Sequence, residues 1–268
     1  MMNPYKLTRR KGPAMSIAFF DIDGTLAVGH DVPASAEAAL ARMRANGHLV
    51  FICTGRPRAY AERHFGQYAD GFVCNNGRLG FMGDRHLHDR ALTADEVRWL
   101  VQTLDDAGSG YAFLEEWCGY YGGDPAYRAT AESVWDPGML RDGVDPDTIH
   151  AFNFDIYFAD AEHRKRIAAA LGDRCLVNPH GPHPSADVTI VGCDKGDAVR
   201  GVAESLGVAL DDVYAFGDGI NDLSMIRAAG HGVAMGNAVD EVKAAAEFVT
   251  TNVDDDGIAN ALTHYGLA

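Results

Sequence analysis

The sequence predicts an α/β protein: a doubly wound parallel sheet interrupted midway by a second, α+β domain. Three observations carry that expectation. Apolar runs that read as buried strands alternate with segments of helical periodicity up to about residue 83 and again from about 191 to the end. Between these stretches, consecutive strand-like segments joined by short loops point to antiparallel pairing. Polar clusters stand at the carboxyl ends of predicted strands, which is where open α/β sheets bind ligands.

The first strand, Ile17 to Phe20, reads as buried on both faces and stops at Asp21 and Asp23, with Gly24-Thr25 as the turn that ends it. Two acids at the end of a buried strand repel each other and lose solvation unless a cation or substrate compensates, so they point to catalysis or metal binding. A solvated turn fits poorly with the four apolar residues leading in. A calcium loop would need an acid two residues before Asp21, where Phe19 stands.

Pro33 to Asn46 has apolar residues at helical spacing and stops at Gly47. His48 to Cys53 follows as a second buried strand, ending in Thr54-Gly55-Arg56-Pro57, and a helix then runs to about Phe65. Gly71 to Cys74 is a third strand, closed by the turn Asn75-Asn76-Gly77. The pattern changes near Gly83, and residues 84–190 are expected to form the inserted domain. Within it, Thr93 and Glu96 make a capping box for a helix to about Ala107. A Gly- and Pro-punctuated region runs to Asp147, after which Ile149 to Ala159 alternates as a strand, Ala161 to Leu171 as a helix, and Cys175 to Val177 and Asp187 to Val191 as strands. Alternation resumes with a helix from Lys195 to Leu206, a strand from Val213 to Phe216, the loop Gly217 to Asp222, a helix to Ala229 and a strand-helix-strand-helix tail.

Composition narrows the function. A chain of 268 residues with 47% hydrophobic content can bury one large core or two modest ones. A formal net charge of −15 argues against a nucleic-acid partner, whose affinity depends on Lys and Arg. An acidic protein that handles phosphate must concentrate its few cations locally or borrow a metal. Residues 1–14, with Lys6, Arg9, Arg10 and Lys11 and no acid, read as a disordered basic leader, and Met15 is an alternative start. That leader is too polar for a signal peptide, and no segment approaches the length of a membrane span. Five cysteines, odd in number and without CxxC spacing, read as reduced residues of a cytoplasmic protein. Nothing in the sequence signals an oligomeric state.

Four polar clusters then stand together as a phosphotransfer site: Asp21/Asp23, Thr54-Gly55, Lys195, and Asp218/Asn221/Asp222. Through DIDGTL at 21–26, ICTGR at 52–56, DKGDAV at 194–199 and GDGIND at 217–222, the chain resembles the haloacid dehalogenase-like hydrolases, specifically the Cof-type phosphatases with a large α/β cap. CNNG at 74–77 and AMGNA at 234–238 also resemble that branch, and the resemblance spans essentially everything after the leader. It implies a Rossmann-like core, residues 15–83 and 191–268, with an inserted α+β cap at 84–190 that governs substrate choice.

It further implies that Asp21 is the nucleophile that forms an aspartyl-phosphate and that Asp23 is the general acid and base. Mg²⁺ would be held by the carboxylates of Asp21 and Asp218 and the backbone carbonyl of Asp23, with Asp222 reached through water. The Thr54 hydroxyl, the backbone amides of Ile22 and Gly55 and the Asn221 amide would bind phosphoryl oxygens, with Lys195 neutralising their charge. The substrate expected is a small phosphorylated metabolite such as a sugar phosphate or pyridoxal phosphate. Two other readings stand beside it. A phosphosugar mutase would have to exclude water from the aspartyl-phosphate, and a phosphate-binding regulatory domain without turnover would be expected to lack a catalytic acid. Gly217-x-Gly219 followed by Asp222 lacks the third glycine of a dinucleotide fingerprint, which counts against a nicotinamide cofactor. Within the insertion, Glu115, Glu116, Trp117, Tyr120, Tyr121, His180 and His183 are the candidates to face the site.

Overall fold

The computed structural model describes residues 15–135 and 138–268; the basic leader expected at 1–14 lies outside them. The chain opens with β1 (Ile17–Phe20), α1 (Ala34–Ala45), β2 (Leu49–Cys53), α2 (Arg58–Phe65) and β3 (Gly71–Cys74). β4 (Leu79–Met82) and β5 (Arg85–Asp89) follow as a hairpin around Gly83, whose φ of 57° suits a glycine. Next come α3 (Ala94–Asp106), β6 (Gly110–Leu114), β7 (Gly119–Gly123), α4 (Arg128–Glu132), β8 (Leu140–Asp142) and β9 (Asn153–Tyr157). α5 (Ala161–Leu171), β10 (Cys175–Pro179) and β11 (Ser185–Ile190) complete the middle of the chain. The last part holds α6 (Lys195–Leu206), β12 (Val213–Gly217), α7 (Leu223–Ala228), β13 (His231–Ala234), α8 (Asp240–Ala245), β14 (Phe248–Val249) and α9 (Gly257–His264).

The strands make two sheets. The first has eight strands in the order β14-β13-β12-β1-β2-β3-β4-β5, parallel from β14 to β3 and antiparallel beyond. Its near-continuous apolar strands are covered on both sides, as burial of a parallel sheet requires. Ala18, Phe20, Val50 and Ile52 pack on α1, α2 and α9, while Ile17, Phe19, Phe51 and Cys53 pack on α6, α7 and α8. Each such fully buried Phe or Ile is worth about 1.5–3 kcal/mol. The second sheet has the order β10-β11-β9-β6-β7-β8 and is antiparallel except where β7 meets β8. One of its faces packs on α3 and α5, with α3 entered through the Thr93/Glu96 capping box.

One expectation needs correction. Arg85–Asp89, assigned to the insertion at 84–190, is the edge strand of the first sheet, so the change of pattern near Gly83 marks a hairpin turn and the second sheet's territory begins after Asp89. The Gly-rich stretch at 119–123, to which the sequence assigns no element, is a strand: a Cβ on Gly122 would run into the ring of Tyr111 on the neighbouring β6, so close approach calls for glycine there.

β1 is the switch point of the first sheet. The chain leaves it toward β2 on one side and returns to β12 on the other, so a crevice opens at the carboxyl ends of β1 and β12.

Candidate active site

The register that pairs Phe20 with Phe216 brings the first residues past β1 alongside the end of β12. The Asp21 N–H donates to the Phe216 carbonyl at 3.0 Å, which fixes this acid at the mouth of the strand pair with little exposure. Asp218 follows β12 directly. The buried Thr25 hydroxyl donates to Asp218 Oδ1 at 2.8 Å, and the Asn237 side-chain amide donates to the Gly24 carbonyl at 2.8 Å and reaches Asp218 Oδ2 at 3.5 Å. Gly24, at φ 84°, lies against the Asp218 carboxylate, and a Cβ there would collide with it.

Lys195 is the first residue of α6, and its ammonium reaches into the interior. Nζ stands 2.5 Å from Asp21 Oδ1 and 2.6 Å from Asp222 Oδ1. Asp222 Oδ2 accepts the N–H groups of Asp218 at 3.0 Å and Gly219 at 2.9 Å. Both Asp222 oxygens are therefore engaged, and its geometry suits a residue that orients Lys195 and the loop after β12.

Three carboxylates now face one ammonium in a largely dry pocket. Burial raises Asp21 to about 7; Lys195 opposes the rise, while Asp222 and Asp218 add to it. Asp218 is also raised, first by burial and then by Asp222, against the Thr25 hydrogen bond. Burial alone would lower Lys195, but Asp21 and Asp222 outweigh it and hold the ammonium charged. Ligand oxygens of Asp21, Asp218 and Asp222 all lie within 4.8 Å of one another. An excess of buried negative charge, presented entirely by carboxylate oxygens, fits a hard divalent cation.

The other predicted residues are distributed as follows. Thr54 is buried; its N–H donates to the Val73 carbonyl at 2.8 Å, and its hydroxyl oxygen accepts the Arg56 N–H at 3.1 Å, which leaves the hydroxyl proton to point elsewhere. Gly55 abuts the Asn76 side chain, in a turn where Asn75 and Asn76 have φ of 52° and 53°. Asn221 is exposed and lines the same cleft. The Ile22 side chain is wholly buried, and its carbonyl accepts the Leu26 and Ala27 N–H groups at 3.0 and 2.9 Å. Asp23 is half-exposed and pairs with Arg56 at 3.3 Å.

Sequence reasoning missed Thr25, Asn237 and Arg56 as site residues, although all three lie within quoted motifs. It also missed Asn75, which lines the cleft with both side-chain polar atoms buried and unpaired. The cleft, about 1770 Å³, runs between the two sheets; Asp21, Thr54 and Lys195 line it on one side and His180, His183 and Asp187 on the other. Of the candidates from the insertion, only His180 and His183 line it. Glu116 instead pairs with Arg58 at 2.7 Å, Trp117 stacks over the same guanidinium, and the Tyr121 hydroxyl donates to the Asp124 carbonyl at 2.6 Å.

The chain is similar to known proteins along nearly its whole length. The family model described as haloacid dehalogenase-like hydrolase matches residues 18–262. YkrA of Bacillus subtilis is 32% identical over 265 residues, which cover 94% of this chain and 98% of the relative. HMP-PP phosphatase of Citrobacter koseri is 28% identical over 264 residues, 93% and 95% of the two chains. Among solved structures, the HAD subclass IIB sugar phosphatase BT4131 superposes with a TM-score of 0.73 at 30% identity, covering 95% of this chain and all of that one.

Proposed function

The chain belongs to the haloacid dehalogenase-like hydrolases and is a phosphatase, and from that premise we propose that it hydrolyses a small phosphorylated metabolite through an aspartyl-phosphate on Asp21. The observation that carries this reading is the buried Lys195 ammonium bridging Asp21 and Asp222 beside Asp218. It holds a carboxylate at the end of the central strand in a fixed orientation, with charge already gathered around the place where a phosphoryl group would sit.

In the proposed reaction an Asp21 oxygen attacks phosphorus as the bond to the leaving oxygen breaks, and Asp23 gives that oxygen its proton. Asp23 then takes a proton from water, whose oxygen attacks the same phosphorus; Asp21 and inorganic phosphate are released. The exposure of the Asp23 side chain, which leaves it within reach of a leaving oxygen and of water, supports this role. Thr54, Gly55, Ile22, Asn221 and Lys195 are the proposed phosphoryl-binding groups. Mg²⁺ is the proposed cofactor, held by the Asp21 and Asp218 carboxylates and the Asp23 carbonyl, with Asp222 behind them. When bound, it supplies positive charge that offsets the repulsion between the Asp21 carboxylate and the phosphoryl oxygens.

The part of the chain that carries the second sheet is the proposed cap. No described helix is long and apolar enough to cross a membrane, and the five cysteines are free thiols, which supports a cytoplasmic setting. The test is phosphate release from a panel of phosphorylated metabolites and p-nitrophenyl phosphate, with Mg²⁺ and with excess EDTA. Turnover that needs Mg²⁺ is expected. Undiminished release in EDTA, with the protein shown to be metal-free, would remove the cation from the proposal.

A further inference from the structure

The second sheet turns an alternating polar row toward the cleft. On β9 and β11, Phe154, Ile156, Ala186 and Val188 are buried in the cluster against α3 and α5. Period-two alternation then places Asn153, Asp155, Ser185, Asp187 and Thr189 on the opposite face, and all five line the cleft. The register sets Asp187 directly beside Asp155, a like-charge pair that destabilises an antiparallel ladder unless something compensates.

Compensation from within the protein is partial. Asp155 is buried, and its partners are the Tyr157 hydroxyl at 3.4 Å and the nearby Trp135 indole. Asn153 is 5% exposed, and its Oδ1 has no hydrogen-bond partner among the described residues. His180 Nε2 lies 3.4 Å from Asp187 Oδ1 and its Nδ1 lies 2.8 Å from Ser185 Oγ, and the Asn178 side-chain amide donates to Asp187 Oδ2 at 3.2 Å; a protonated imidazole thus sets one positive charge against two carboxylates. The row keeps two carboxylates beside the single His180 imidazole, and the Asn153 oxygen adds an acceptor with no partner among the described residues.

We propose that this face is the subsite for the leaving group, and that it selects phosphomonoesters whose organic part carries a protonated amine. The inference rests on the phosphatase reading of the Asp21 site. Its placement suits that role: Thr189 stands 3.5 Å from the Asn76 amide, which abuts Gly55 beside the phosphoryl-binding Thr54. Asp187 lies two residues farther along β11, about 7 Å, the reach of a small metabolite. An ammonium brings three donors and a charge to Asp155, Asp187 and the Asn153 oxygen, whereas a neutral hydroxyl brings one donor and more acceptor lone pairs. Burial, reinforced by Asp187 and opposed by His180, pushes Asp155 up to about 7, and a bound cation would hold it ionised.

The test compares kcat/KM within two matched pairs, glucosamine 6-phosphate against glucose 6-phosphate and pyridoxamine 5′-phosphate against pyridoxine 5′-phosphate, with p-nitrophenyl phosphate as reference. The amine member should be preferred by about tenfold or more in at least one pair, and Asp155→Asn should lower that ratio by about tenfold. Asp187→Asn, at a more exposed position, should lower it likewise and guards against a folding defect in the first variant. Ratios near or below one in both pairs would overturn the proposal, as would variants that leave the ratio unchanged. Turnover of p-nitrophenyl phosphate without amine preference would overturn this inference alone; no turnover of any of the five esters would overturn the phosphatase reading and this inference with it.

Discussion

Replacing Lys195 by Met keeps most of the side-chain volume and removes the one cation among the described residues that pairs with Asp21 and Asp222, at 2.5 and 2.6 Å. Lys195 is 1% exposed, so water cannot take its place without a rearrangement. Breaking a buried pair by removing one partner costs about 3–5 kcal/mol, because the surviving charge stays buried. At 2–4 °C per kcal/mol for a chain near this size, the metal-free variant should melt roughly 6–20 °C below the parent at pH 7.5.

The sign of the pH dependence follows from Asp21. Its folded pKa, about 7, is already raised above the unfolded value of 3.8, so its contribution to stability is present below 3.8 and is lost as pH rises through 7. Lys195 opposes that rise, so its removal pushes Asp21 higher still. The deficit of the variant should therefore shrink toward pH 5, where the acid is protonated in both proteins. In catalysis, the acidic limb of the pH profile of kcat/KM for p-nitrophenyl phosphate should move to higher pH, and kcat at its plateau should fall about 10²–10³-fold if the proposed charged contact from Lys195 to the phosphoryl group is lost. An unmoved limb together with a melting temperature within about 2 °C of the parent at pH 7.5 would refute this account of Lys195.

Three further outcomes are expected. Asp21→Asn should abolish measurable turnover of p-nitrophenyl phosphate while the melting temperature holds or rises, since a neutral amide escapes the desolvation that raises Asp21; near-full activity would exclude an aspartyl-phosphate. Thr25→Val removes the hydroxyl that donates to Asp218 Oδ1 and should raise the Mg²⁺ concentration for half-maximal activity by about 10–100-fold, and an unchanged titration would mean that Asp218 is not a metal ligand. Gly24→Ala forces a Cβ against the Asp218 carboxylate at φ 84° and should cost about 1–3 kcal/mol in thermal or denaturant unfolding along with weaker Mg²⁺ activation; a neutral result would show that the turn can relax away from Asp218.

The parts of this protein legible in the sequence are those where polarity changes abruptly. Ile17 to Phe20 is fully buried, and the step to Asp21 is visible without coordinates; Lys195 stands out as a charge at the head of an amphipathic helix behind the Asp194 cap. Residues whose role comes only from a partner far along the chain are not legible. Thr25 and Asn237 look like ordinary turn residues until Asp218 is placed between them, 193 and 19 positions away. The sequence leaves Trp117 and Tyr121 open between packing and recognition; the Trp117 ring lies over the Arg58 guanidinium and the Tyr121 hydroxyl donates to the Asp124 carbonyl of the adjoining loop. The strand alternation of β9 was visible, but which of its faces meets the cleft depends on where α3 and α5 pack, and local periodicity does not specify that.

The same limit applies to the site as a whole. Helix-strand alternation is compatible with several strand orders, and in most of them Asp21 and Asp218 would sit at the ends of strands that do not touch. The sequence argument for their proximity is chemical: two acids at strand ends, each costly when buried, are tolerable together if they share a cation. In the structure that proximity has a mechanical cause. β1 lies between β2 and β12 because the chain reverses its direction of travel across the sheet after visiting the second one, and the Phe20–Phe216 register then sets the two acids side by side. The long middle segment is thus more than an addition to the core. α6 follows β11 directly, so the segment's end leads into Lys195, and the charge that steadies Asp21 arrives from 174 residues away.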